Sequence, residues 1–187
     1  MKTKFPRAAA LAVAAELCDA LRPVTSRLIV AGSLRRRKAA VGDVEVLFVP
    51  RFHTEPDGFF DTKEVNLADD LLGLLLAKGA LARRKNVNGS EMWGAKNKLA
   101  LHVASGIPVD LFTATEESWF NYLVCRTGPG ESNIAIASAA QAKGWKWNPY
   151  GAGFSRQIGL TTEQHIVTSE REAFEFVGLP FKEPWER

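Results

Sequence analysis

The chain has 187 residues, of which 46% are apolar, enough for one packed domain or a domain with a small appendage. Its net charge of +3 is too modest to argue for nucleic acid by bulk attraction, although basic residues cluster at Arg35-Arg36-Arg37-Lys38, at Arg83-Arg84-Lys85 and at Lys96/Lys98. No stretch approaches the length of a membrane span, no secretory leader pattern opens the chain, and Cys18 and Cys125 form neither a disulfide framework nor a metal-like spacing, so a reducing cytoplasm and no membrane contact are expected.

In chain order, Pro6 suits a helical first turn, and Leu11, Ala15, Cys18 and Leu21 recur at helical spacing, so a helix is expected over 6–22, ended by Pro23. Strands are expected at 27–31 and 43–49, joined through Gly32-Ser33 and a basic, mobile stretch. Residues 51–62 read as a loop, with Pro56 and Gly58 as breakers. A helix over 64–78 stops near Gly79, and strands follow at 81–88, 91–93, 97–104 and 107–112. Helices over 116–125 and 131–143 flank the break Thr127-Gly128-Pro129-Gly130. Beyond Gly144, Trp145–Trp147, Phe154–Ile158 and His165–Val167 read as a small antiparallel sheet. Ser169 and Glu172 then have capping-box spacing, and Gly178 with Pro180 makes a stop. A boundary near 113–116 separates a strand-rich front, residues 1–114, from a mostly helical back, residues 115–187.

Chemistry concentrates after the Gly32-Ser33 turn. Gly42 opens a strand carrying Asp43 and Glu45, and alternation puts these two acids on one face with Val44 and Val46 on the other. Like charges side by side on a strand are unfavourable without a counter-charge. A divalent cation is the simplest one, and magnesium prefers oxygen ligands. Asp110, amid Ile107-Pro108-Val109 and Leu111-Phe112, is a charge in an apolar strand that needs a partner or a task. With Asp43 and Glu45 it would make a three-carboxylate cluster able to hold two magnesium ions roughly 3.5–4 Å apart for a phosphoryl displacement.

These residues resemble those of the nucleotidyltransferase superfamily, and specifically of the family X DNA polymerases, the group of DNA polymerase beta. The family pattern of Gly-Ser, two arginines, Gly-Asp-x-Asp and a distant strand Asp falls on Gly32, Ser33, Arg35, Arg36, Gly42, Asp43, Glu45 and Asp110. Thr127-Gly128 resembles the Thr-Gly at the nucleotide-sugar turn, and Asn133 sits where the family has an Asn facing the nascent base pair. Lys143-Gly144-Trp145-Lys146-Trp147-Asn148-Pro149-Tyr150 and Phe181-Lys182-Glu183-Pro184-Trp185-Glu186-Arg187 resemble two further family segments, so the likeness covers about residues 8–187. It implies an α+β fold: a nucleotidyltransferase palm, a mixed β-sheet with flanking helices, and a small C-terminal α/β subdomain that binds the nucleotide and the nascent base pair. Larger members carry a lyase-type domain and a helix-hairpin-helix subdomain; the length leaves room for neither, as in the minimal viral forms.

The resemblance implies a DNA-directed DNA polymerase that adds deoxynucleotides to a primer 3′-hydroxyl with release of pyrophosphate, in short-gap repair or a phage-like replication setting. Asp43, Glu45 and Asp110 would hold two magnesium ions, with manganese as a substitute. Gly32, Ser33, Arg36 and Gly42 would serve the triphosphate, Arg126, Thr127, Gly128 and Asn133 the rest of the nucleotide, and Lys96 and Lys98 the DNA phosphates. The expected partners are a primer-template or gapped duplex and deoxynucleoside triphosphates, and the expected state is a monomer in a bacterial, phage or viral setting. Three departures stand out: Glu45 replaces an Asp, Cys125-Arg126 replaces an aromatic pair that crowds the sugar 2′ position, and Pro108 replaces an Arg near the primer terminus. The alternative is a template-independent nucleotidyltransferase acting on a small molecule, an RNA end or a protein. A non-enzymatic DNA-end binder is disfavoured by the three carboxylates.

Overall fold

In the computed structural model, which describes residues 3–58 and 60–187, the elements run β1 (Phe5–Pro6), α1 (Arg7–Leu21), a 3-10 turn (Arg22–Val24), β2 (Thr25–Val30), α2 (Gly32–Arg35), β3 (Ala40–Val41), β4 (Val44–Pro50), β5 (Phe52–Asp57) and β6 (Asp61–Asn66). There follow α3 (Leu67–Ala77), β7 (Leu81–Arg83), β8 (Asn97–His102), β9 (Ile107–Thr113), α4 (Trp119–Thr127), α5 (Gly130–Ala142), β10 (Lys146–Trp147), β11 (Gly153–Ile158), β12 (Thr161–Ile166), α6 (Glu170–Glu175) and a 3-10 turn (Pro184–Glu186). Contacts gather these into two units. One comprises Met1–Val30 and Ala39–Thr113; the other comprises Ala31–Lys38 and Ala114–Arg187.

The first unit is built on a five-stranded sheet of order β2-β4-β9-β8-β7. β4 and β9 are parallel and the other neighbours antiparallel, which makes the sheet mixed. Alternation gives the sheet two unlike faces. Val44, Val46 and Phe48 of β4, Val109 and Leu111 of β9, and Ala100 of β8 are all fully buried on one face. Helix α1 presents Ala10, Val13, Ala14, Leu17 and Leu21 to the interior, and full burial of each larger apolar side chain contributes about 2 kcal/mol. Two polar contacts fasten helices to this face: His102 Nε2 lies 3.3 Å from a Glu16 carboxylate oxygen of α1, and Lys98 Nζ pairs with Asp69 of α3 at 2.8 Å. The opposite face carries Glu45 and Asp110, both half-buried.

Three local expectations change. Residues 52–66 form the antiparallel hairpin β5–β6, not a loop, with Gly58 at φ 81° in its turn. Pro56 pairs with Thr62 there, and a two-stranded ribbon tolerates proline because each strand is an edge. Phe59 lies outside the described residues. Helix α3 starts at Leu67, because Asn66 Oδ1 accepts from the N–H groups of Ala68 and Asp69, both at 3.1 Å. The strand expected at 81–88 stops at Arg83, and 91–93 holds only isolated bridges, Lys85 to Glu91 and Trp93 to Lys98. Between them Asn86 Oδ1 accepts from the N–H groups of Asn88 and Ser90, so an Asn-centred turn wins over strand continuation.

The second unit packs α4, α5 and α6 on the sheet β10-β11-β12 around Val124, Ile136, Ala140, Trp147, Phe154, Val167, Phe174 and Val177. Trp147 is an anchor: its indole N–H donates to Asn121 Oδ1 at 2.6 Å. The Asn121 amide in turn donates to the carbonyls of Asn148 and Gly151 at 2.7 and 2.9 Å. One buried Asn thus ties helix α4 to the turn that follows β10. At α6, Ser169 Oγ accepts from Glu172 N–H, while Glu172 reaches back to Thr168 N–H and Oγ–H. Burial pushes the Glu172 acid up, but the Thr168 hydrogen bonds and nearby His165 outweigh it and hold the group below its ordinary range. That contribution is present above the ordinary carboxylate pKa and lost as pH falls through the lowered one.

Candidate active site

The acid cluster is a product of register. In the parallel pairing of β4 with β9, Glu45 lies directly abreast of Asp110, so both carboxylates project from the same face. Asp43 precedes β4 by one residue and shares that face by alternation. Asp43, Glu45 and Asp110 are each half-buried. Asp110 Oδ1 accepts from the guanidinium of Arg84 in an ion pair whose side chains are 26% and 18% exposed. Three half-buried carboxylates match hard divalent cations in donor type. Among the described residues they are not already drawn together as a cage, since no group of three His, Cys, Asp or Glu is arranged to hold a metal.

The second cluster lies within the other unit. Gly32, at φ 60°, turns the chain out of β2 into the single turn α2 that carries Ser33. Arg35 does not face outward. Its guanidinium forks onto Glu170 of α6, with Nη1 to Oε2 at 2.8 Å, and also donates to Thr127 Oγ1 at 2.6 Å. Arg36 Nη1 donates to the Thr127 carbonyl. Gly128, at φ 61°, allows this: a Cβ there would lie 3.2 Å from Arg36 Nη1. Arg187 adds a second cation to Glu170, its side chain only 1% exposed and its guanidinium over the Phe174 ring at 4.7 Å. Burial lowers the Arg187 pKa, opposed by Glu170. The Gly-Ser turn and the Thr-Gly turn are therefore held together by Arg35 and Arg36. Thr127, fully buried, spends its side chain on that contact. The basic stretch expected to be mobile is pinned. Gly42 is buried between β3 and β4.

Arg126 is also held. Its guanidinium carbon lies 5.3 Å from the Tyr122 ring and 5.0 Å from the Tyr150 ring, and the two rings meet edge-on at 5.5 Å. Burial raises the Tyr122 hydroxyl pKa, and neighbouring Arg126 works against it. Asn133 on α5 donates its amide to the Cys125 carbonyl at 2.9 Å, while its Oδ1 is buried without a hydrogen-bond partner. Sequence reasoning missed Arg84, Glu170, Tyr122 and Tyr150. Only register and tertiary packing bring them to these places.

Of the two lysines expected to meet DNA phosphates, Lys96 is exposed. Lys98 is a correction: it is 2% exposed, and its ammonium donates to Gly94 O at 2.9 Å besides pairing with Asp69. Its position on β8 aims it at the helix-covered face, not outward. Lys98→Met should lower stability by roughly 1–2 kcal/mol, less than a fully buried pair because Asp69 is 36% exposed. It should leave the salt dependence of DNA binding unchanged, whereas a phosphate-contacting lysine would reduce the log–log slope by about 0.9. Urea unfolding and salt-titrated DNA binding separate the two roles.

Residues 122–187 match the DNA polymerase beta thumb family. No curated protein matches the chain. Among solved structures, polymerase beta of Leishmania infantum in its ternary P/T complex superposes with TM-score 0.75 and 18% identity over 99% of this chain and 77% of that one. The same enzyme in its ternary gap complex gives 0.74 and 17% over 99% and 71%. The mixed sheet with flanking helices is the polymerase beta fold.

Proposed function

We propose that the chain is a DNA-directed DNA polymerase of family X type that fills short gaps, adding deoxynucleotides to a primer 3′-hydroxyl with release of pyrophosphate. The observation that carries this is Glu45 abreast of Asp110, with Asp43 two residues upstream, in a polymerase beta-like fold. Asp43, Glu45 and Asp110 hold magnesium, or manganese in its place, which stabilises the attacking and leaving oxygens when bound. Ser33 and the Gly32 amide receive the triphosphate, as backbone donors at a glycine turn can. Arg36 offers further guanidinium donors to phosphate beyond the one given to Thr127. Asn133 addresses the minor-groove edge of the incoming base from a position set by the Cys125 carbonyl. Lys96 meets the DNA backbone. The partners are a gapped duplex and deoxynucleoside triphosphates, and the protein acts as a monomer.

An acceptor panel tests the assignment. Labelled nucleotide should be transferred with magnesium to the primer end of a gapped duplex in preference to a lone single strand or an RNA end. Transfer to an RNA end or a small molecule, with none to the gapped duplex, would replace this function with the other acceptor class.

Sugar choice is a separate expectation. Cys125 and Arg126 leave the 2′ position less crowded than an aromatic pair does, and the hold of Tyr122 and Tyr150 on Arg126 keeps that side chain from filling the space at random. The preference for deoxy- over ribonucleotide should be weak and should rise by about tenfold in Cys125→Tyr/Arg126→Phe. The ratio of catalytic efficiencies opposite one template base measures it. A preference of several thousand-fold that the double variant leaves untouched would remove the two side chains from sugar selection.

A further inference from the structure

The short helix α2 ends in a way its sequence does not favour. The Lys38 N–H donates to the Ser33 carbonyl at 3.1 Å, and the Arg37 N–H donates to the Leu34 carbonyl at 3.0 Å. These two bonds are the paired closure of a Schellman turn, with Arg37 just past the cap. That position takes a left-handed backbone, and glycine usually fills it because it has no Cβ. Arg37 fills it here at φ 59°, the only non-glycine with a positive φ among the described residues. Its guanidinium carbon lies 4.1 Å from the centre of the Trp185 ring. Trp185 is itself placed. It sits in the 3-10 turn Pro184–Glu186, where Glu183 and Glu186 cap one another. The next residue, Arg187, donates from Nε to the Lys182 carbonyl at 2.8 Å and pairs with Glu170. Trp185 is 48% exposed, so it is not a core side chain.

We propose that Trp185 is a positioning residue for the nucleotide-binding turn: by stacking on Arg37 it holds the left-handed closure that fixes the Ser33 carbonyl, and with it the orientation in which Ser33 and the Gly32 amide meet a triphosphate. A ring orders a guanidinium without neutralising it, so the turn keeps its positive charge. A carboxylate in the same place would repel the triphosphate. The chain thus clamps with an aromatic ring a turn that glycine would form unaided. The inference rests on the triphosphate role proposed above for Gly32 and Ser33.

The test is a calorimetric titration of the whole chain with a deoxynucleoside triphosphate and magnesium. Trp185→Ala should weaken binding about fivefold, and Trp185→Phe, which keeps a ring, should stay within about twofold of the parent. Arg37→Gly removes the disfavoured backbone and with it the need for a clamp. Trp185→Ala/Arg37→Gly should therefore bind about threefold or more tighter than Trp185→Ala. Thermal melting checks that each variant is folded at the titration temperature, and a general loss of structure would not be reversed by a second substitution at Arg37. Parental affinity in Trp185→Ala overturns the proposal. A loss that Trp185→Phe shares in full, or that Arg37→Gly fails to reverse, also overturns it, because Trp185 would then act other than through its ring on this turn. Ser33→Ala is the control for the site. If it binds as the parent does, the triphosphate role of the turn fails and the inference falls with it, whereas a Ser33-dependent affinity that Trp185→Ala leaves unchanged overturns the inference alone.

Discussion

On the proposed function, Asp43→Ala, Glu45→Ala and Asp110→Ala are each expected to cut magnesium-dependent nucleotide addition by roughly a thousandfold or more, because each would remove a metal ligand that stabilises charge in the transition state. Folding should survive. None of the three side chains fills the core, and the face opposite them, with Val44, Val46, Val109 and Leu111, is untouched. Asp110→Ala strands Arg84, but at 26% exposure the guanidinium can turn to water. Single-turnover extension beside a thermal melt checks both halves. Near-parental turnover in Asp110→Ala would remove this residue from the chemistry and leave Glu45 with an unrelated neighbour.

Glu170→Ala should have the largest effect on stability outside the apolar core. Glu170 receives the fork of Arg35 and the edge of Arg187, and the pair with Arg35 is 18% and 14% exposed. Removing the acid leaves two arginines in a poorly hydrated place, at a cost of about 3 kcal/mol. Its functional consequence follows from Arg35, which also holds Thr127: without its anchor the turn bearing Ser33 loosens and nucleotide affinity falls. Glu170→Gln keeps an acceptor and should lose less on both counts. Urea unfolding and equilibrium nucleotide binding measure the two effects. A loss under about 0.5 kcal/mol in Glu170→Ala would show that water replaces the acid freely.

Period-two alternation made much of this readable in the chain itself. Asp43 and Glu45 read as one face because Val44 and Val46 read as the other, and Asp110 stood out because apolar residues surround it. The α+β architecture followed from the resemblance to the polymerase beta family. What alternation cannot supply is partnership across distance. Nothing local says that Glu45 pairs with Asp110, or that Arg84 reaches Asp110. Arg35 and Glu170 are 135 positions apart, and only packing of α6 brings them together. Lys98 shows the reverse error: a charge in a strand read as outward because Asp69, its partner on α3, is a tertiary neighbour. The hairpin over 52–66 was hidden by Pro56 and Gly58, residues that punctuate loops and ribbons alike.

On the proposed function, base choice is directed by a template. The measurement that meets it most directly is single-nucleotide addition into a one-nucleotide gap, with each of the four deoxynucleoside triphosphates offered separately opposite each of the four template bases. The expected result is preferential insertion of the complementary nucleotide at all four template bases, dependent on magnesium and lost in Asp110→Ala. Insertion of the same nucleotide whatever the template base, or addition that proceeds equally on a primer with no template, would contradict it.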